Sequence, residues 1–129
     1  GPATNNTLDM FETMKFAALL QKRLYLDPKS LSAYETLKMA TINAAKALKL
    51  GEGIGSLEVG KKADVILVDV SKPHLRPMHN VYANLVYSAR GSDVDTVIVD
   101  GRIVMANRQV RILDEKAVME NAEKTALSL

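Results

Sequence analysis

The chain has no cysteine, which excludes disulfides, thiolate metal sites and a cysteine nucleophile. That absence is compatible with a reducing cytosol, and a cytoplasmic location is the expectation. Histidine is almost as scarce: His74 and His79 are the only two. A zinc site needs three or four converging ligands, and this pair, set in a proline-bearing connection, lacks the i, i+4 spacing that would aim both rings at one ion. Structural duty or solvent exposure is the reading for each. No apolar run approaches the ~18–20 residues of a membrane span. The first residues show neither the basic region nor the apolar core of a signal peptide, so no membrane partner is expected. Charge of one sign is missing too. The net charge is only +2, with lysines and arginines spread along the chain, which argues against a phosphate-tracking surface and hence against nucleic acid.

Recognisable catalytic motifs are also lacking. No serine stands in a G-x-S-x-G elbow. The glycines of Gly51-Glu52-Gly53-Ile54-Gly55 lead toward a strand rather than a helix, unlike a phosphate loop. Asp64, Asp69, Asp93, Asp95 and Asp100 fall at expected strand ends, where turn and cap duty accounts for them. The residues by themselves assemble no complete active site.

What is present organises around Gly55 to Asp69. Gly55 and Gly60 permit backbone angles closed to other residues, and Lys61, Lys62 and Asp64 keep the approach solvated. Val65 to Val68 is then a short, mostly β-branched run of the kind a strand buried on both faces needs. The length of 129 residues suits one domain, with 47% hydrophobic and 25% charged residues, an ordinary globular composition.

Before that stretch the pattern is helical. Asn6 or Thr7 is the expected cap of a first helix ending near Leu24, with Leu8, Phe11, Met14, Ala18 and Leu19 on one apolar face. Asp27-Pro28 stops it. Ser32 and Glu35 form a capping box for a second helix, with Leu37, Ala40 and Met39 inward. A bend at Thr41 precedes a third helix to Leu48, with Ile42, Ala45 and Leu48 inward and Gly51 as its stop.

After the stretch, Pro73 and Pro77 predict an extended connection along the surface. Val81 to Ala89 reads as a short helix with Val81, Leu85 and Val86 inward. Val94 to Val99, Asp100-Gly101 and Arg102 to Met105 read as a hairpin with a type I′ turn. Val110 to Leu113 adds an extended piece. Asp114 caps a last helix, expected to pack through Val118, Ala122 and Thr125 or Ala126.

Four stretches together resemble the C-terminal part of the amidohydrolase superfamily. They are Gly1 to Met10, Leu37 to Leu48, the G-x-L-E-x-G-K-x-A-D pattern in Gly55 to Asp69, and Asn84-Leu85-Val86-Tyr87 with Val94 to Gly101. The subgroup they resemble is the aminohydrolases similar to 5-methylthioadenosine/S-adenosylhomocysteine deaminases and chlorohydrolases. The opening Gly1-Pro2 is compatible with a tag scar from its residues alone, but the resemblance favours native sequence.

The resemblance implies an α+β fragment. Residues 1–50 would be outer helices from the last part of a (β/α)8 barrel. Residues 51–129 would be part of a composite β-sandwich with a C-terminal helix. The parent reaction it implies is hydrolytic deamination of a purine nucleoside-type or related N-heterocyclic substrate by metal-activated water. The parent would hold one divalent metal, zinc or iron, on histidines and an aspartate outside this chain, leaving no cofactor here. The fragment would be inert alone. Asn5 and Asn6 would border the substrate pocket, though helix capping is the competing role. The expected partner is the missing N-terminal barrel portion, or the chain itself as a homo-oligomer. The alternative is a stand-alone, non-catalytic binding or assembly module using open strand edges.

Overall fold

The computed structural model describes residues 6–128. Helix α1 (Met10–Tyr25) begins where Asp9, in extended backbone, accepts through its side chain from the Phe11 and Glu12 N–H groups. The cap is therefore Asp9, not Asn6 or Thr7. A carboxylate satisfies the free donors and suits the positive end of the helix dipole, while Asn6 takes left-handed backbone at φ 57°. Leu26, also left-handed, closes the helix ahead of Pro28.

Helix α2 (Ala33–Ala40) opens on the expected reciprocal box of Ser32 and Glu35. Thr41, at φ −124° and ψ −101°, breaks the run before α3 (Ile42–Ala47). Gly51 is not the stop of α3. Lys49 takes φ 60°, its N–H donates to the Lys46 carbonyl at 2.9 Å, and the Leu50 N–H donates to Ala45 at 2.8 Å. That is a Schellman ending built without glycine. Leu48, beyond the last full turn, is exposed, and so is Met39.

Four strands, β1 (Val65–Val68), β2 (Val94–Val99), β3 (Arg102–Ala106) and β4 (Gln109–Val110), form one antiparallel sheet in that order. Val65 pairs with Ile98 and Leu67 with Thr96, and a bulge follows at Leu67/Val68. Asp100 and Gly101, at φ 49° and 77°, make the expected two-residue turn. Asn107 and Arg108, at φ 52° and 59°, make a second, so the piece after it is a two-residue strand rather than an extension to Leu113. Gly55 and Gly60 have φ of 94° and 92°, as the loop before β1 requires.

Burial of β1 departs from expectation. Ile66 is 49% and Leu67 52% exposed. Successive strand residues point to opposite faces, so each face of this edge strand carries an uncovered apolar side chain. Helix α5 (Glu115–Ala126) starts at its Asp114 cap, yet every residue in it is exposed. Val118, Ala122, Thr125 and Ala126 pack on nothing, because no described element lies over them.

The connection after β1 is not simply surface-hugging. Pro73–Leu75 winds into a 3-10 turn, the Arg76–Pro77 peptide is cis, and Leu75 is buried, 1% exposed. Helix α4 (Val81–Tyr87) holds this turn: Asn84 Nδ2 donates to the Leu75 carbonyl at 2.8 Å. Val86 is buried, whereas Val81, in the first turn beside the Asn80 cap, is exposed.

The core joins Phe11, Met14 and Ala18 of α1 to Leu75, Val86, Ala89 and Val94. Leu8 and Leu19, expected with them, are exposed. Phe16, Leu20 and Leu24 are exposed as well; at 100° per residue they lie across α1 from the buried three. This helix is apolar on two sides and covered on one. Among the described residues no helix is long and apolar enough to cross a membrane.

Candidate functional site

The start of α1 meets the 3-10 turn Gly91–Asp93, and the contact is made by one carboxylate serving two elements. Asp9 Oδ1 accepts from the N–H groups of Phe11 (2.8 Å) and Glu12 (3.3 Å). Oδ2 accepts from the Gly91 N–H at 2.8 Å, across 82 positions of sequence. A Cβ on residue 91 would stand 3.1 Å from Oδ2, a tight contact that glycine avoids.

Two residues on, Asp93 is buried and anchors the connection behind it. Its carboxylate meets Lys72 Nζ at 2.7 Å, His74 Nε2 at 2.8 Å and the Arg90 N–H at 2.9 Å. Lys72 also donates to the Ser92 carbonyl at 2.9 Å, and the Asp93 carbonyl accepts from the Asp69 N–H at 2.8 Å. Burial pushes the Asp93 carboxyl up, but the hydrogen bonds from Lys72, His74 and Arg90 outweigh it and hold the group at about 2. The result is a satisfied buried carboxylate, which fixes geometry rather than exchanging protons near neutrality.

Asp69 does the turn duty expected of it. It accepts from the Ser71 hydroxyl (2.6 Å) and N–H (3.0 Å) and from Arg108 Nη2 (2.9 Å). These contacts, the serine's first, lower its carboxyl to about 2. Asp64 likewise serves a turn, accepting from the Asp100 N–H at 2.7 Å.

Beside the Asp9–Gly91 contact lies an open cleft of about 570 Å³, lined among others by Glu12, Lys15, His74, Arg90 and Ser92. Asn6 is exposed and is not among the residues lining this cleft. Asn5 lies outside the described residues.

The residues present do not fit a catalytic divalent metal. His74 is committed to Asp93, His79 is exposed, and no group of three or more potential ligands occurs among the described residues. The sequence reading gives His74 structural duty or solvent exposure and Asp93 a turn, and does not join them. The available signal was spacing: Lys72 and His74 two apart in a short proline turn, Arg90 and Asp93 three apart as in a cap. The reach of Asp9 to Gly91 is not legible in sequence, because 82 positions separate the two.

The described residues form a helical layer tied to an antiparallel sheet, with a polar anchor between them and no cluster of metal ligands among them. The chain belongs to the amidohydrolase family, whose model matches residues 1–104. It is 53% identical over 129 residues to a 5-methylthioadenosine/S-adenosylhomocysteine deaminase of Thermoanaerobacter pseudethanolicus, covering all of this chain and 30% of that protein. It is 54% identical over 129 residues to a 5'-deoxyadenosine deaminase of Methanosarcina mazei, covering 100% of this chain and 29% of the other. Among solved structures, an adenosine deaminase of Xanthomonas campestris with bound Zn superposes with a TM-score of 0.93 at 40% identity, over 96% of this chain and 28% of that one. The chain thus spans about 30% of the length of the curated relatives it matches.

Proposed function

We propose that the chain is the C-terminal piece of a metal-dependent deaminase that hydrolyses the amino group from a purine nucleoside-type or related N-heterocyclic substrate. Water replaces the amino group on the ring carbon, and ammonia leaves. The single observation carrying this reading is identity above one half, along the entire chain, to relatives named as deaminases of adenosine-like compounds.

In this reading residues 1–50 are outer helices of the barrel and residues 51–129 are part of the composite β-sandwich with its terminal helix. The metal, zinc or iron, is held by residues outside this chain, since those within it do not fit one; the chain alone is inert. What the chain supplies is position. Asn5 and Asn6 border the substrate pocket, and the rest carries them.

The uncovered apolar faces support a partner. An apolar stripe on a helix faces a core, and Phe16, Leu20 and Leu24 give α1 a second such stripe. At about 1.5–3 kcal/mol for each such side chain fully buried, covering them is a strong drive. The partner is the N-terminal remainder of the same protein or, in its absence, a second copy of this chain.

The reading is tested by assaying the full-length protein for ammonia release from 5-methylthioadenosine, S-adenosylhomocysteine and adenosine, with Asn6→Ala alongside. Release from at least one, with a raised KM in the variant, is expected. No release from any of the three sinks the deaminase reading, and an unchanged KM removes Asn6 from the pocket.

A further inference from the structure

We infer that Asp9 is a positioning residue: its carboxylate latches the segment entering α1 to the Gly91–Asp93 turn, and so fixes the loop that, on the proposed function, borders the pocket. The inference rests on that reading for its catalytic consequence and on geometry alone for the latch itself.

Three observations carry it. First, an ordinary N-cap uses one side-chain oxygen for the first turn, and Oδ1 alone does that here, with contacts at 2.8 and 3.3 Å. Oδ2 is spare for capping, and it takes the Gly91 N–H at 2.8 Å. Second, the turn that receives it is immobilised from behind. Asp93, in the same turn, is buried, ion-paired to Lys72 at 2.7 Å and in contact with His74 Nε2 at 2.8 Å, while its carbonyl holds the Asp69 N–H at the end of β1. Third, residue 91 has no side chain to intervene, and even a methyl group would reach to 3.1 Å of Oδ2.

The loop before α1 is thereby tied through Asp9 to Gly91, through Asp93 to the 72–74 turn, and on to the sheet. Asn6 sits three residues before the latch. With so short a connection the latch bears on where Asn6 stands, and misplacement of about one ångström is costly for substrate positioning.

Asp9→Ser separates capping from latching. Serine caps a helix as well as aspartate does, but its single short hydroxyl cannot also reach Gly91. The full-length protein is compared with this variant by hydrogen exchange of peptides covering residues 6–12 and 88–94, and by steady-state kinetics on the adenosine-type substrate it turns over. Exchange at Gly91 and in the loop is expected to rise about tenfold, as loss of one charge-assisted hydrogen bond permits. KM should rise by a similar factor, with kcat and the melting temperature much less affected. Gly91→Ala, which keeps Asp9 but crowds Oδ2, should act in the same direction more weakly, and it stands in if the serine variant fails to fold.

Unchanged exchange in both variants overturns the latch. Faster exchange with KM and kcat both unchanged overturns the positioning role while leaving the latch. A wild-type protein that releases no ammonia overturns the deaminase reading and the positioning role with it, and Gly91 exchange then still decides whether the latch exists.

Discussion

The region where α1 meets the 91–93 turn and the region around β1 and α5 draw on similar residues but are finished differently. In the first, Phe11, Met14 and Ala18 are covered by Leu75, Val86 and Val94, and every oxygen of the neighbouring carboxylates Asp9 and Asp93 has a donor. In the second, Ile66 and Leu67 stand half-exposed on opposite faces of an edge strand, and Val118 and Met119 are exposed on α5. Apolar periodicity marks what is to be covered and not what covers it. Closed and open regions therefore look alike until the contacts are in view, and on the proposed reading the open one is what a piece of a larger enzyme leaves behind.

The comparison breaks most visibly at Asp93. Asp93→Ala removes the shared partner of Lys72, His74 and the Arg90 N–H, and should destabilise the chain by about 3–4 kcal/mol, near the lower end for a broken buried pair because Lys72 is partly solvated. Urea denaturation of the 129-residue chain measures this. Next comes Leu75→Ala in the same region, with an expected loss of about 2–3 kcal/mol from lost burial plus the cavity it leaves. If both losses stay under ~1 kcal/mol, the closed region is not closed.

Acid should act through the same carboxylate. The folded Asp93 sits at about 2, below an ordinary aspartate near 3.9. Its stabilising contribution is therefore fully present above the ordinary value and disappears as pH falls from about 4 through 2. Thermal melts of wild type and Asp93→Asn should be well separated at pH 6 and converge toward pH 2. A gap that persists unchanged at pH 2 contradicts the assignment.

Smaller effects sharpen the contrast. Ile66→Ala should cost less than about 1 kcal/mol in the 129-residue chain, as a surface change does, but about 2 kcal/mol or more in the full-length protein, as a core truncation does. Equal costs in the two settings would mean that nothing covers β1. Smallest of all, Val118→Ser on α5 should stay within about 0.5 kcal/mol in the isolated chain, read from the same urea curves.

Sequence reasoning succeeded where chemistry is local. Ser32 with Glu35, Asp100 with Gly101, and Asp114 ahead of its helix each carry their structure within four residues, and each is as expected. It failed where a residue does an unusual local job, as when Lys49 rather than Gly51 takes the left-handed position after α3. It also failed where the partner is distant. Nothing near Asp9 points to Gly91, and the spacing around His74 does not by itself single out Asp93. Leu75 was hidden between two prolines that spoke for the surface. Both faces of β1 look buried in sequence because, on the proposed reading, they are buried in the whole enzyme.

The most direct test of the central claim is metal content and ammonia release measured side by side on the purified 129-residue chain and on the full-length protein, with 5-methylthioadenosine as substrate. The account predicts neither metal nor turnover from the chain, and both from the full-length protein. Stoichiometric metal and ammonia from the 129-residue chain alone would contradict it, because a complete site would then lie among residues that here are committed to holding the fold.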